Sequence, residues 1–255
     1  TKSMKITILG SGTSTGVPEI GCTCKVCTST DVRDNRLRAS ALFETETERI
    51  LVDCGPDFRM QMLKREFKKI DGVLITHEHY DHVGGIDDLR PFCRFGEVPL
   101  YAEEYTAERL ARRMPYCFDE HKYPGVPQVS LKVIQPERPF YIHQSKIVPI
   151  RVMHGPLPIL GYRINEVAYI TDMKTMPEAE FALLENVKCL IVNALRPESH
   201  WTHQNLEEAL AFAERVGAGE TYFIHMSHHM GLHAEVEKNL PPHVHLAYDG
   251  LEIEV

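Results

Sequence analysis

Thr76-His77-Glu78-His79-Tyr80-Asp81-His82 packs three imidazoles and Asp81 into one short stretch, and its reading decides the fold. Alternate residues of an extended segment point the same way, so His77 and His79 offer two nitrogens to one cation. Asp81 and His82 then turn toward a second position, and Gly84-Gly85 permits a tight exit. Neutral imidazole suits zinc, manganese or iron, and a carboxylate suits the harder of these ions. The apolar run Val73-Leu74-Ile75 just ahead reads as a strand that holds the motif in place. An incidental His-rich surface loop would lack both the strand before and the glycine pair after. The expectation is a metal-dependent hydrolase with a two-metal site.

Working outward, other His and Asp residues also follow strand-like runs. His154 follows Met153, Asp172 follows Ile170-Thr171, and His225 follows Ile224. Strand ends suit chemistry because a sheet fixes position while a loop frees the side chain. Strands are expected over 5–9, 39–44, 49–52, 73–75, 99–102, 129–134, 139–142, 146–153, 160–164, 167–170, 188–192 and 220–224, with one or two more within 246–255. Helices are expected over 57–68, with Asp57 as N-cap, and over 103–113, 177–185 and 204–216, the last ended by Gly217. Met114 to Pro127, rich in Pro, Tyr and Gly, reads as a surface loop. Two sheets with helices outside them satisfy this order.

The 255 residues suit a single α/β domain, and the chain shows neither a repeat nor a low-complexity linker. A net charge of −8 gives no basic footprint for a nucleic-acid backbone. Bound divalent cations would offset it locally, so an anionic substrate stays compatible. No apolar run approaches the roughly 20 residues of a membrane span. Thr1-Lys2-Ser3 reads as an added leader before a native Met4, and no signal-peptide pattern follows. Seven cysteines, three of them at 22, 24 and 27, fit metal-binding thiolates in a reducing cytoplasm better than a disulfide scaffold. Cys22, Cys24 and Cys27 offer three ligands of a closed zinc site within a knuckle at about 21–28, and the fourth must come from elsewhere.

The His77–His82 run resembles the H-x-H-x-D-H signature of the metallo-β-lactamase superfamily, and the resemblance extends over nearly the whole chain. It implies an αββα sandwich: two mixed sheets face to face, helices outside. It implies one metal held by His77, His79, His154 and Asp172, and a second by Asp81, His82, Asp172 and His225. Asp53, in Leu51-Val52-Asp53-Cys54-Gly55, matches an aspartate that buttresses the histidine loop without binding metal. A bridging water or hydroxide would be the nucleophile, since two cations lower its pKa toward neutrality.

Gly10-Ser11-Gly12-Thr13-Ser14-Thr15-Gly16-Val17-Pro18, followed by the cysteine cluster, narrows the resemblance to the PhnP family. Those proteins are phosphodiesterases that open phosphoribosyl cyclic phosphates. The likeness makes His228 the fourth ligand of a structural zinc, with His229 adjacent. It makes His203 the general acid, with His200 as neighbour and competitor, and counts Asp81 with the catalytic groups. Protonating the departing alkoxide is the chemical need such an acid meets. The implied cofactors are two divalent ions (manganese, zinc or iron) and one structural zinc. The implied partners are a small phosphate ester and a second copy of the chain, without nucleic acid or membrane. Residues 90–144 depart from the family pattern, and substrate-pocket loops would lie there. A tRNA 3′-processing nuclease and a PqqB-like protein are the alternatives within the superfamily, although no long basic arm for tRNA is evident. A thiolesterase of the glyoxalase II type lacks the cysteine knuckle, and a non-enzymatic module would be expected to have lost ligands.

Overall fold

In the computed structural model, which describes residues 3–255, strand order settles the architecture. Thr1 and Lys2, part of the expected leader, lie outside the described residues. The first sheet contains β1 (Lys5–Gly10), β2 (Ser40–Glu44), β3 (Arg49–Val52), β4 (Gly72–Leu74), β5 (Val98–Ala102) and β6 (Val129–Val133). The second contains β7 (Phe140–Ile142), β8 (Ser145–His154), β9 (Leu157–Ile164), β10 (Val167–Ile170), β11 (Cys189–Asn193), β12 (Glu220–Ile224) and β13 (Val244–Leu246). The last strand, β14 (Glu252–Glu254), returns to the first sheet beside β1. The orders are 14-1-2-3-4-5-6 and 13-12-11-10-9-8-7. In each sheet one half is antiparallel and the other parallel: β3 to β6 run together, as do β10 to β13.

Three apolar layers explain why many strands read as continuous hydrophobic runs, since both faces of each sheet are covered. The middle layer joins Ile6, Phe43, Ile50 and Leu74 of the first sheet to Leu160, Tyr162, Tyr169 and Ile191 of the second. Outside the first sheet lie α1 (Phe58–Met62), α2 (Tyr80–Val83), α3 (Glu104–Arg113), α4 (Pro115–Phe118) and a 3-10 segment, Ile86–Phe95. Outside the second lie α5 (Leu206–Val216), α6 (His233–Glu237) and a 3-10 segment, Glu178–Leu184. This is the αββα sandwich that the resemblance implied. The Tyr162 hydroxyl of β9 donates to the Ile75 carbonyl (2.6 Å), tying the sheets together just before the histidine loop.

Several elements differ from expectation. The helix expected over 57–68 stops at Met62. Arg49 takes up the Glu66 and Lys68 carbonyls, and Asp57 sends its carboxylate to Arg38 rather than capping the helix. In place of the helix expected over 177–185 the chain forms a 3-10 segment, Glu178–Leu184, and the 114–127 loop contains α4, begun by Pro115. β9 starts three residues early because His154 and Leu157 close a hairpin. α5 begins at Leu206 behind an Asn205–Glu208 capping box and ends at left-handed Gly217.

Candidate metal centre

The parallel strands end on one side of the sandwich, where open α/β sheets place their ligands. Asp53 follows β3, the His77–His82 run follows β4, Asp172 follows β10 and His225 follows β12. His154 ends β8. Asp53, Asp172 and His225 all adopt left-handed backbone, with φ of 60°, 58° and 58°. In each, the strand breaks abruptly and turns a functional side chain inward. Non-glycine residues adopt this conformation at some cost.

Asp53 is fully buried and organises the loop. It accepts the Thr76 backbone N–H and hydroxyl (2.8 Å each) and the Nδ1–H of His82 (2.7 Å). The Thr76 oxygen in turn accepts the Nδ1–H of His77 (2.9 Å). Across the site, the Thr202 carbonyl accepts the Nδ1–H of His154 (3.0 Å). A carbonyl or carboxylate can only accept, and the Thr76 hydroxyl already donates its one proton to Asp53, so in their neutral form these three rings carry their proton on Nδ1 and present a bare Nε2.

The bare nitrogens converge on carboxylates. His82 Nε2 is 3.0 Å from Asp81 and 3.1 Å from Asp172, and His225 Nε2 is 3.4 Å and 3.2 Å from the same two. His77 Nε2 is 3.6 Å from Asp172. Two ligand atoms about 2.0–2.2 Å from one tetrahedral cation lie about 3.4 Å apart. Nε2 of both His77 and His82 is buried without a hydrogen bond. Buried imidazole nitrogens and carboxylate oxygens at ligand-to-ligand spacing fit divalent cations, which would take the place of a proton shared between them. One set is His77, His79 and His154; the other is Asp81, His82, Asp172 and His225. Asp172 lies beside both.

Charge divides the site. Burial favours the neutral Asp172 carboxyl, but His225, His82 and His77 hold it well below the usual range. Burial opposes charge on His82, yet Asp172, Asp81 and Asp53 raise its pKa well above normal. His77 is pushed well down by burial and by charged His82.

A second cluster sits outside the strand ends. The sulfurs of Cys22, Cys24 and Cys27 lie 3.2, 3.3 and 3.4 Å from His228 Nδ1. Zinc bonds of about 2.3 Å to sulfur and 2.0–2.1 Å to nitrogen put tetrahedral neighbours about 3.5 Å apart. Glu19 lies 3.1 Å from His228 Nε2 and orients the ring. His229 lies against His228 with its ring tilted by 48° and is not among the four gathered residues. A backbone N–H from Cys27 helps to lower the Cys24 thiol to about 6, whereas burial pushes Cys27 up to about 11.

Residues 48–226 match the β-lactamase superfamily domain. The crystal structure of a new diphosphatase from the PhnP family superposes with a TM-score of 0.92 at 40% identity, covering 99% of this chain and 97% of that one. The chain belongs to the PhnP family of the metallo-β-lactamase superfamily. Zn(2+)-bound PqqB from Methylobacterium extorquens shares the fold (TM-score 0.80, 21% identity, 98% and 100% coverage). Among curated sequences, an octanoyltransferase of Porphyromonas gingivalis is 47% identical over 251 residues, which is 98% of this chain but 51% of that protein. The chain spans about half the length of the curated relatives it matches. With its His/Asp cluster, this PhnP-family chain carries a metal-binding site of the kind typical of catalytic metallo-hydrolases.

His203 stacks on His225 (4.9 Å between ring centres), and its Nε2 lies 3.9 Å from Asp172. It also shares a ligand-sized grouping with His154 and Asp172. Burial brings its pKa down to about 3. His200 lies farther out, 5.2 Å from the His203 ring. Supporting groups absent from the sequence reading are Glu19, the Thr202 carbonyl and Asn193, whose amide brackets the Met173 backbone beside Asp172. These contacts join distant parts of the chain, so no local spacing signals them. No helix among the described residues is long and apolar enough to cross a membrane.

Proposed function

We propose that this protein hydrolyses a small or cyclic phosphate diester at its His/Asp centre, with manganese or zinc as the resident ions. The carrying observation is the near-complete overlap with a PhnP-family structure at 40% identity. The PhnP hallmark, a Cys₃His cluster beside the His/Asp centre, is present as well. His77, His79, His154 and Asp172 would hold one cation, and Asp81, His82, Asp172 and His225 the other. Bound there, two cations supply Lewis acidity toward a phosphoryl oxygen and a water made nucleophilic near neutral pH.

The chain's own residues do the rest. Asp53 and the Thr202 carbonyl fix ring tautomers before substrate arrives. Asp81 and Asp172 hold negative charge where cations and a phosphoryl group meet. His203 hands a proton to the departing oxygen, and the substrate's negative charge favours its protonated form. Cys22, Cys24, Cys27 and His228 hold a structural zinc. We further read the chain as one domain, acting in the cytoplasm as a homodimer.

A second substrate reading has specific support. The PhnP-family relative at 40% identity is described as a diphosphatase. A doubly substituted diphosphate presents the same kind of centre, a phosphorus between two oxygen substituents, one of which leaves. The octanoyltransferase name is not carried over, since about half of that protein lies outside the match. The test is steady-state turnover by manganese- or zinc-loaded protein of bis(p-nitrophenyl) phosphate, cyclic phosphates, dinucleoside diphosphates and pre-tRNA. Turnover of small diesters supports the first reading and of diphosphates the second. Cleavage of pre-tRNA alone, or of nothing, overturns both.

A further inference from the structure

The segment Ser199-His200-Trp201-Thr202 carries the chain's single tryptophan. It is locked against the metal centre on both sides of that residue. The Thr202 carbonyl holds the His154 ring, and a Cβ on Gly155 would come within 2.9 Å of the Thr202 side chain. His200 accepts the Thr202 N–H and hydroxyl through Nδ1 (3.1 and 3.2 Å). Its ring lies 5.2 Å from that of His203, which in turn lies 4.7 Å from that of His154. The backbone of Trp201 is therefore fixed within two residues of groups that face the centre.

Its side chain is 76% exposed. An indole is costly to leave in water, and a folded protein buries most of it on average. Here it makes no aromatic or cation–π pairing among the described residues. The other exposed aromatic beside the centre, Tyr80 between His79 and Asp81, lays its ring against Gly84 on its own helix. Trp201, two residues from His203 on a segment tied to the centre, leaves its indole face open to solvent.

We infer that Trp201 is a stacking platform for a planar aromatic group on the substrate, so that the preferred phosphate compound carries a nucleobase or similar ring. This rests on the phosphate-ester reading above and narrows its substrate class. Every base has a π-face, so such a platform selects for an aromatic substituent without fixing its sequence or identity. The single indole also makes contact directly visible as a change in fluorescence.

The test titrates metal-loaded protein with adenosine monophosphate and, as aromatic-free probe, ribose 5-phosphate, by fluorescence and calorimetry. The expected result is quenching by the nucleotide only, and binding roughly tenfold to hundredfold tighter than that of ribose 5-phosphate. Trp201→Leu should erase that preference and Trp201→Phe retain most of it. Equal affinities for the two probes, or a preference that survives Trp201→Leu, overturn the stacking role while leaving the phosphate-ester reading intact. Binding of neither probe overturns the phosphate reading and the stacking role together.

Discussion

The two metal-ligand clusters are built on opposite plans. The His/Asp centre gathers its residues from the ends of β8 and β12 and from the loops after β4 and β10, so both sheets must be formed before it exists. The cysteine cluster takes three ligands from one turn and only His228 from afar. The first is imidazole and carboxylate, buried except at His79; the second is half-buried thiol with one imidazole. Nitrogen and oxygen donors leave a cation acidic and open to substrate, whereas three thiolates and an imidazole complete a closed tetrahedron. The comparison separates a place for chemistry from a clamp. The clamp also has work near the chemistry. His228 lies three residues beyond His225, and Met226 between them exchanges backbone hydrogen bonds with Ser11 and Thr13.

The sharpest way to break this contrast is Asp172→Ala. It removes the carboxylate that the proposed assignment places in both cation sets, and complete loss of turnover with loss of metal by elemental analysis is expected. Retained activity would end the two-metal assignment. Next comes Asp53→Asn, which keeps the shape but weakens the acceptor of His82 Nδ1–H. A roughly 10- to 100-fold drop in metal affinity or activity is expected, measured by chelator competition and kinetics. Cys24→Ser should lower thermal stability and remove about one equivalent of zinc, while the His/Asp centre stays loaded. If the catalytic ions left instead, the division into centre and clamp would be wrong.

Smaller effects sharpen the picture at the margins. Gly155 has φ of 57° and lies against Thr202, so Gly155→Ala should cost about 1–2 kcal/mol from backbone conformation. It should also lower turnover by displacing the 199–203 segment, and paired melting and kinetic measurements would reveal whether both fall. The smallest effect lies behind the clamp. Burial opposes charge on His245, but Glu220 and Glu237 prevail and raise its pKa. A raised folded pKa stabilises fully below about pH 6.5, the unfolded value, and the gain fades as pH rises through the folded pKa. His245→Gln should narrow the wild-type difference in melting temperature between pH 6 and pH 9; an unaltered difference would place its origin elsewhere.

Much of the centre could be read from the chain because its parts are local. The His77–His82 run is one short loop and the start of α2, and the remaining residues each follow a recognisable apolar strand. The sheets were legible for a related reason: burial on both faces makes their strands continuous hydrophobic runs. What escaped was set by tertiary context. The helix over 57–68 has the right periodicity, yet the chain leaves it after Met62, and Arg49 of β3 binds the Glu66 and Lys68 carbonyls of the non-helical stretch that follows. Helical spacing likewise could not distinguish the 3-10 geometry of 178–184. Glu19 shows the same limit at the clamp, since it acts on a histidine near the other end of the chain and no spacing marks it.

The left-handed backbone at Asp53, Asp172 and His225 carries a consequence for how this protein balances durability against use. Glycine would adopt those angles freely, while each of these side chains holds its residue there at about 1–2 kcal/mol. At Asp53 the three hydrogen bonds it accepts offset that cost, whereas at Asp172 and His225 the metal-free fold is tuned below the stability its own backbone could reach. A variant selected only for heat resistance would drift toward glycine at those two positions and lose its centre in doing so. Bound cations reverse that pull, because they stabilise only chains that keep both side chains turned inward.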